Sequence, residues 1–189
     1  MTPEMLHMIV FGVLVIVPIA YVLGTYNRLV KLRYTIRESW SNVDTELKRR
    51  YDLIPNLVNT VKGYAAHERG VLEAVVRARQ AAVASTGTPA SQARDENELV
   101  RQLRTLLAVV ERYPDLKANQ NFLALQHELT NTEDRIQAAR RFYNGNVRSL
   151  NVLVQSVPSN LIAGMFGFTE AEYFEIEDLG MRAPVSVSL

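Results

Sequence analysis

The sequence contains no cysteine, only three histidines and one tryptophan among 189 residues, and almost no net charge. Without thiols, disulfide frameworks, thiolate zinc sites, thiol nucleophiles and a lipidated cysteine anchor are all excluded. The missing thiols say nothing of redox compartment, because such a chain suits either side of a membrane. Signatures of chemistry are missing too: there is no HExxH, no phosphate-binding glycine loop and no GxSxG. The only Glu-x-x-His spacing runs from Glu4 to His7, whereas a di-metal carboxylate bundle needs such pairs on two core helices. His67-Glu68 and His127-Glu128 make poor acid/base pairs, since adjacent residues of a helix point about 100° apart. The expectation is therefore no enzyme, no catalytic residue, no metal or cofactor, and no small-molecule substrate.

What is present is a long uncharged run. No Asp, Glu, Lys or Arg occurs between Glu4 and Arg28, and Met5 to Gly24 reads MLHMIVFGVLVIVPIAYVLG. At about 1.5 Å of rise per residue, some 20 residues cross a hydrocarbon core of about 30 Å. Thr2-Pro3-Glu4 reads as an N-cap, an N1 proline and a first-turn acid. Pro18 is tolerable in a transmembrane helix, whose other amides bond internally. The expected anchor residues are Met5, Leu6, Ile9, Val10, Phe11, Val13, Leu14, Val15, Ile16, Val17, Ile19, Tyr21, Val22 and Leu23. A cleaved signal peptide and a buried core helix are the competing readings. The first wants a basic residue before the apolar run, where only Glu4 stands; the second seldom stays uncharged for so long. Arg28, Lys31, Arg33 and Arg37 follow the run, so the positive-inside rule places the N-terminus outside and the remainder in the cytoplasm. The same four side chains either set topology only or also touch anionic head groups.

Beyond residue 24 the pattern is helical. Ile36, Trp40, Val43, Leu47, Tyr51, Ile54, Leu57 and Val61 cover 25 residues in seven steps, a helix seam rather than a strand. This helix is expected to run from near Tyr26 to about Ala66, with a bend at Pro55. A second helix over about 68–84 carries Leu72, Val75, Val76, Arg79 and Val83, with Gly70 marking a break before it. Residues 85–92 read as a linker, and Asp95 with Glu98 as the start of a third helix bearing Leu99, Leu103, Leu106, Val110 and Tyr113. Pro114 ends that helix and Asp115 caps a fourth. The fourth seam, from Phe122 through Leu129, Ile136, Tyr143 and Leu150 to Val157, covers 35 residues in ten steps, a period suited to packed antiparallel helices. Gly145 inside it signals close packing or local weakness.

The expected fold is thus all-α: an N-terminal transmembrane helix followed by an antiparallel up-and-down four-helix bundle with two long and two shorter helices. The expected segments are 1–24 for the stub and span, 25–157 for the bundle and 158–189 for the tail, whose last ten residues are expected to fray. Because the middle helices are half as long as the outer two, half of the bundle is left as a two-helix stalk with apolar positions to cover. The tail, a neighbouring copy or another protein must cover them. Glycines and prolines around residues 160–168 argue against a regular helix there, and Thr169 with Glu172 suggests a short helical turn holding Tyr173 and Phe174. That segment either plugs the stalk groove, dips Met165, Phe166 and Phe168 into the membrane interface, or meets a partner. Residues 158–189 hold five acids and one Arg, net −4; residues 25–157 hold 20 bases and 14 acids, net +6. The acidic tail is expected to dock along the basic stalk.

One further cluster stands out. Arg49, Arg50 and Asp52 beside Pro55 form either a docking surface or a structural tie to Glu133 or Asp134. Glu133 with Arg140, and Asp134 with Arg141, are read as polar layers fixing register or as a solvated face. Nucleic-acid binding is not expected, since the bases are spread along the chain and the aromatics sit on the core seam.

Several stretches resemble the LemA family of bacterial membrane proteins. They are Arg49-Arg50-Tyr51-Asp52-Leu53-Ile54-Pro55-Asn56-Leu57-Val58, Val61-Lys62-Gly63-Tyr64, Leu125-Gln126-His127-Glu128-Leu129 and Thr132-Glu133-Asp134-Arg135-Ile136. Ala139-Arg140-Arg141-Phe142-Tyr143-Asn144, Pro158-Ser159-Asn160 and Phe166-Gly167-Phe168 follow in the same order. The resemblance implies a single N-terminal membrane helix and a cytosolic antiparallel bundle, in a family with no assigned reaction. The functional expectation is a non-enzymatic scaffold at the inner leaflet of a bacterial cell membrane. Its expected partners are membrane lipids and either further copies of itself or another membrane protein. The alternative is an accessory subunit of a membrane enzyme such as a protease.

Overall fold

The computed structural model describes residues 3–177 and 179. Thr2 and the last ten residues, expected to cap and to fray, lie outside the described residues. Among the described residues the chain is all-helical, with no strand: α1 (Pro3–Tyr64), α2 (Arg69–Ala84), α3 (Pro89–Val110), α4 (Pro114–Lys117), α5 (Gln120–Gln155) and α6 (Ser159–Met165). It divides into two compact units. The first comprises the described residues of Met1–Glu38 with Gly145–Ala171, the second those of Ser39–Asn144 with Glu172–Leu189. α1 and α5 contribute to both.

In the first unit, α1 presents its apolar stretch to the surroundings. It is the one helix among the described residues long and apolar enough to cross a membrane, and none of that stretch is buried. Beyond it, Leu29 and Leu150 form a small core with Ile162, Ala163 and Phe168, against which Val22, Tyr26 and Val154 pack. The expectation of no regular helix near residue 160 is overturned by α6. Gly167 does not break this helix; it terminates it. Its φ of 69° is left-handed, which glycine adopts without the Cβ clash of other residues. The Phe168 amide donates to the Ala163 carbonyl at 2.9 Å and the Gly167 amide to the Gly164 carbonyl at 3.3 Å, a complete Schellman ending. It turns Phe168 inward.

In the second unit the expected α1 seam is buried from Val43 through Leu47, Tyr51, Ile54 and Leu57 to Val61. The helix passes through Pro55 and ends at Tyr64; the break falls at residues 65–68, and Gly70 lies within the first turn of α2. On α2 the small residues Ala78 and Ala82 are buried with Leu72 and Val75, while Val76 and Val83 are exposed. α3 starts earlier than expected. Thr88 caps it through the Ser91 amide and Pro89 occupies the first turn, so the linker shrinks to residues 85–88 and Asp95 lies inside the helix. Thr followed by Pro is the stronger start signal, because proline gives up an amide that a first turn cannot pair anyway. Pro114 does end the α3 pattern but opens the short α4 in doing so. The cap of α5 is Asn119, whose side-chain oxygen accepts from the Phe122 amide at 3.0 Å. The capping-box expectation at Thr169 fails: residues 169–177 are not helical. Gly145 lies on an open face of α5, where an added Cβ meets nothing within 4 Å, so close packing is not its reason.

Candidate functional site

The most unusual side-chain cluster of the second unit is a buried charge node. Arg50 leaves α1 beside Tyr51, at the seam position between Leu47 and Ile54, and is 0% exposed. Its Nη1 donates to Glu133 Oε1 on α5 at 2.9 Å, and its Nη2 to Glu96 on α3. The Tyr51 hydroxyl donates to the other Glu96 oxygen, and Arg79 of α2 donates from Nε to the Tyr51 carbonyl at 2.6 Å. Both carboxylates are buried. Burial opposes the Arg50 charge, but Glu133 and Glu96 outweigh it and push the guanidinium above its ordinary range. Burial, then the Glu96 charge, pushes the Tyr51 phenol upward as well. Four helices therefore share one hydrogen-bonded point. Glu96 and Glu133 reach Arg50 only when the helices carrying them are aligned.

The tail supplies the second feature. In the second unit the Asn144 amide donates to the Phe174 carbonyl at 2.9 Å, while its oxygen accepts from the Phe174 amide at 2.9 Å. Asn97 binds the tail similarly, donating to the Glu175 carbonyl at 3.2 Å and accepting from the Glu177 amide at 2.7 Å. Arg140 donates to the Ile176 carbonyl, and Tyr143 to that of Glu172 at 2.9 Å. Burial, then the Glu172 charge, pushes the Tyr143 phenol up to about 12. Trp40 closes the arrangement, 5.2 Å from the Tyr143 ring and edge-on to Phe174 at 5.1 Å. The first unit has a clasp of the same kind: Asn151 donates to the Ala171 carbonyl at 3.0 Å and accepts from its amide at 2.8 Å. A helix-borne asparagine thus pairs an extended backbone as a strand neighbour would. Of the tail's acids, the Glu172 carboxylate accepts from the Ala90 amide at 3.3 Å. Glu177 meets Arg104 at 2.8 Å, and the backbone of the tail is clasped from α3 and α5.

Placed on this frame, the expected anchor residues all lie on α1. Met5, Ile9, Val10, Phe11, Val13, Leu14, Val15, Ile16, Val17, Ile19, Tyr21 and Leu23 are exposed, Val22 is half-buried, and the Leu6 side chain lies outside the described residues. Arg28, Lys31, Arg33 and Arg37 are exposed on the same helix. The expected interaction surface splits. Arg49, Asp52 and Pro55 are exposed, as are Met165 and Phe166; Arg50 and Phe168 are buried and are no part of a surface. Arg50 is tied to Glu133, as the structural alternative required, and also to Glu96, which sequence reasoning missed. Of the residues expected in polar layers, Glu133 lies in one with Arg50, while Arg140 faces the tail. The missed signal was a charge at a seam position: Glu96 stands between Ala93 and Leu99 just as Arg50 stands between Leu47 and Ile54. Among the described residues no group of three His, Asp or Glu is placed to hold a metal ion. An open groove of about 630 Å³ between the end of α1 and α2 has Val58, Leu72 and Val76 in its wall and Lys62, Arg69 and Arg77 at its rim.

The LemA family profile matches residues 39–189, which carry both the charge node and the clasped tail. The chain belongs to the LemA family. Its relatives include magnetosome protein MamQ 2 of Paramagnetospirillum magneticum, 27% identical over 200 aligned positions that cover 92% of this chain and 73% of the relative. MamQ of Magnetospirillum gryphiswaldense is 26% identical over 189 positions, covering 86% of this chain and 69% of the relative. Protein LemA of Metamycoplasma hominis is 24% identical over 158 positions, covering 82% and 71%. The α1 stretch up to Glu38 lies outside the family match, and its candidacy as a membrane span rests on the length and composition of the helix.

Proposed function

We propose that this LemA family member is a non-enzymatic scaffold, anchored by α1 in a bacterial cell membrane with its N-terminus outside. In this reading α1, α2, α3 and α5 form an up-and-down four-helix bundle in the cytoplasm, which binds further copies of the chain or another membrane protein. The observation that carries it is an apolar stretch on α1 of which none is buried. Apolar surface of that extent is stable in lipid and costly in water. Four exposed bases follow it at once, and the positive-inside rule supplies the orientation. The register-locked charge node supports a rigid holding role over a chemical one. Relatives named after a cellular structure, the magnetosome, rather than after a reaction are in keeping with this.

The test is in-membrane cross-linking of the tagged chain at native expression, followed by mass spectrometry. Self-links through residues 26–60 and 140–168, or a stoichiometric membrane protein linked there, are the expected result. A strictly monomeric chain in gentle detergent that links to nothing in cells overturns the proposal. Orientation is tested separately, because the chain has no cysteine of its own. An impermeant maleimide should label Met5→Cys in intact cells and Val83→Cys only after permeabilisation.

A further inference from the structure

We propose that the corner joining α5 to α6 lies in the membrane interface, with Leu161, Met165 and Phe166 seated in lipid beside the end of the α1 span. The argument stays within the first unit and rests on α1 as the anchor. The two longest uncharged stretches of the chain, residues 5–27 and 149–169, both fall in this unit. The first is the span; the second contains the end of α5, all of α6 and Phe168.

Packing sets the level of the corner along α1. Ile162, Ala163 and Phe168 bury themselves against Leu29, with Val22 and Tyr26 packed alongside. The Phe166 ring lies 4.8 Å from that of Tyr26 and the Phe168 ring 6.0 Å from it. Val22 and Tyr26 are the last turn of the uncharged run, so α6 covers α1 where the hydrocarbon core gives way to head groups.

Among the described residues none covers the opposite face of α6. Leu161 and Met165, four apart and so on one side of the helix, are 69% and 77% exposed, and Val157 in the corner is 80% exposed. Gly164 lies between them and no charge interrupts the face. Water alone gives no reason for a large apolar residue at each of these positions.

The surrounding charge specifies the occupant. Arg28, Lys31, Arg33, Arg37 and Arg148 are exposed within residues 25–38 and 145–171, against only Glu38 and Glu170. The Arg33 guanidinium lies 5.0 Å from the centre of the Phe168 ring. An apolar wedge beside a cationic collar matches the interface of an anionic leaflet, where bases meet head groups and Leu, Met and Phe enter the acyl boundary. Continuity with the α1 stretch makes lipid, rather than a protein, the occupant of this face.

The experiment uses the full chain in liposomes of phosphatidylethanolamine and phosphatidylglycerol. Single nitroxide labels are placed at Leu14→Cys, Leu161→Cys, Met165→Cys and, as an exposed position of the second unit, Val83→Cys. Relative accessibility to oxygen and to a water-soluble nickel chelate reports lipid or water around each label. The expected result is an oxygen-to-nickel ratio at 161 and 165 several-fold above that at 83 and approaching that at 14. A water-like ratio at 161 and 165 with a lipid-like ratio at 14 overturns this inference and leaves the anchor standing. A water-like ratio at 14 overturns the anchor and this inference with it. Low accessibility to both reagents at 165 shows protein over the face, a second copy or a partner, and likewise overturns a lipid seat.

Discussion

The two units bury polar groups in opposite ways. In the first, the buried polar residues described are Thr25, Asn151 and Ser159, all uncharged, and the packing is by Leu, Ile, Ala and Phe. In the second, a guanidinium and two carboxylates are sealed together under the apolar seams of four helices. Burying ions costs several kcal/mol each before pairing offsets it, and apolar replacements are often as stable. The second unit thus carries a charged cluster whose members meet only when its helices are aligned, and the first carries none among its described residues. Where α6 and its glycine ending set the geometry, no such device is present. The contrast also separates two meanings of an exposed apolar residue: single ones are ordinary on any surface, but the continuous α1 stretch and the α6 face are not.

The strongest way to break the comparison is Arg50→Met. It leaves Glu96 and Glu133 buried without their cation and should cost about 3–5 kcal/mol, read by denaturant unfolding in detergent. Adding Glu96→Leu and Glu133→Leu should recover most of that stability. Failure of the triple variant to recover would show that the node contributes net stability and not register alone. Next comes Asn144→Ala, which unpairs both polar groups of Phe174 at about 1–3 kcal/mol for each group left buried. Hydrogen exchange should rise at residues 172–177 of the second unit; Asn151→Ala should act in the same sense on Ala171 in the first.

Gly167→Ala bears on the first unit alone. It forces a Cβ into a left-handed backbone at about 1–2 kcal/mol, and should loosen Phe168 without shifting the absorbance or fluorescence of Trp40. Gly145→Ala has the opposite sign. An open α5 face receives a better helix former, and stability should rise by up to about 1 kcal/mol. The smallest effect, absent at neutral pH, is alkaline. The Tyr143 phenol titrates near 12 when folded against 10 when free, so the unfolded chain ionises first. The stability Tyr143 contributes is therefore complete below pH 10 and lost as pH rises from 10 towards 12. Tyr143→Phe should flatten part of that decline, leaving the part due to Tyr51.

Much of the helical content was legible because its signals are local. The uncharged run, the 3.6-residue seams on α1, α3 and α5 and the proline boundaries are properties of neighbouring residues on one helix. The errors fell where two local signals competed. Thr88-Pro89 beats Asp95-Glu98 as a helix start, and Gly167 ends a helix that the glycine content of its segment argues against. At the candidate site the sequence points to Arg50 and a tie to Glu133 but not to Glu96, and Phe168, a candidate for an interaction surface, is buried. Asn97, Asn144 and Asn151 carried no sign of their role, because an asparagine on a helix reads the same whether water or a tail backbone pairs with it.

The sequence by itself determined that this chain is helical, that one helix is apolar enough to span a bilayer, and which faces of α1, α3 and α5 turn inward. These follow from periodicity and charge along single elements, which need no knowledge of what lies across from them. Only the tertiary structure decided that Arg50 is sealed between Glu96 and Glu133, that asparagines clasp the tail, and that Leu161 and Met165 face outward while Phe168 faces in. Each of those depends on residues far apart in the sequence meeting in space, and the partner across a gap is a matter of packing that no one-dimensional pattern encodes.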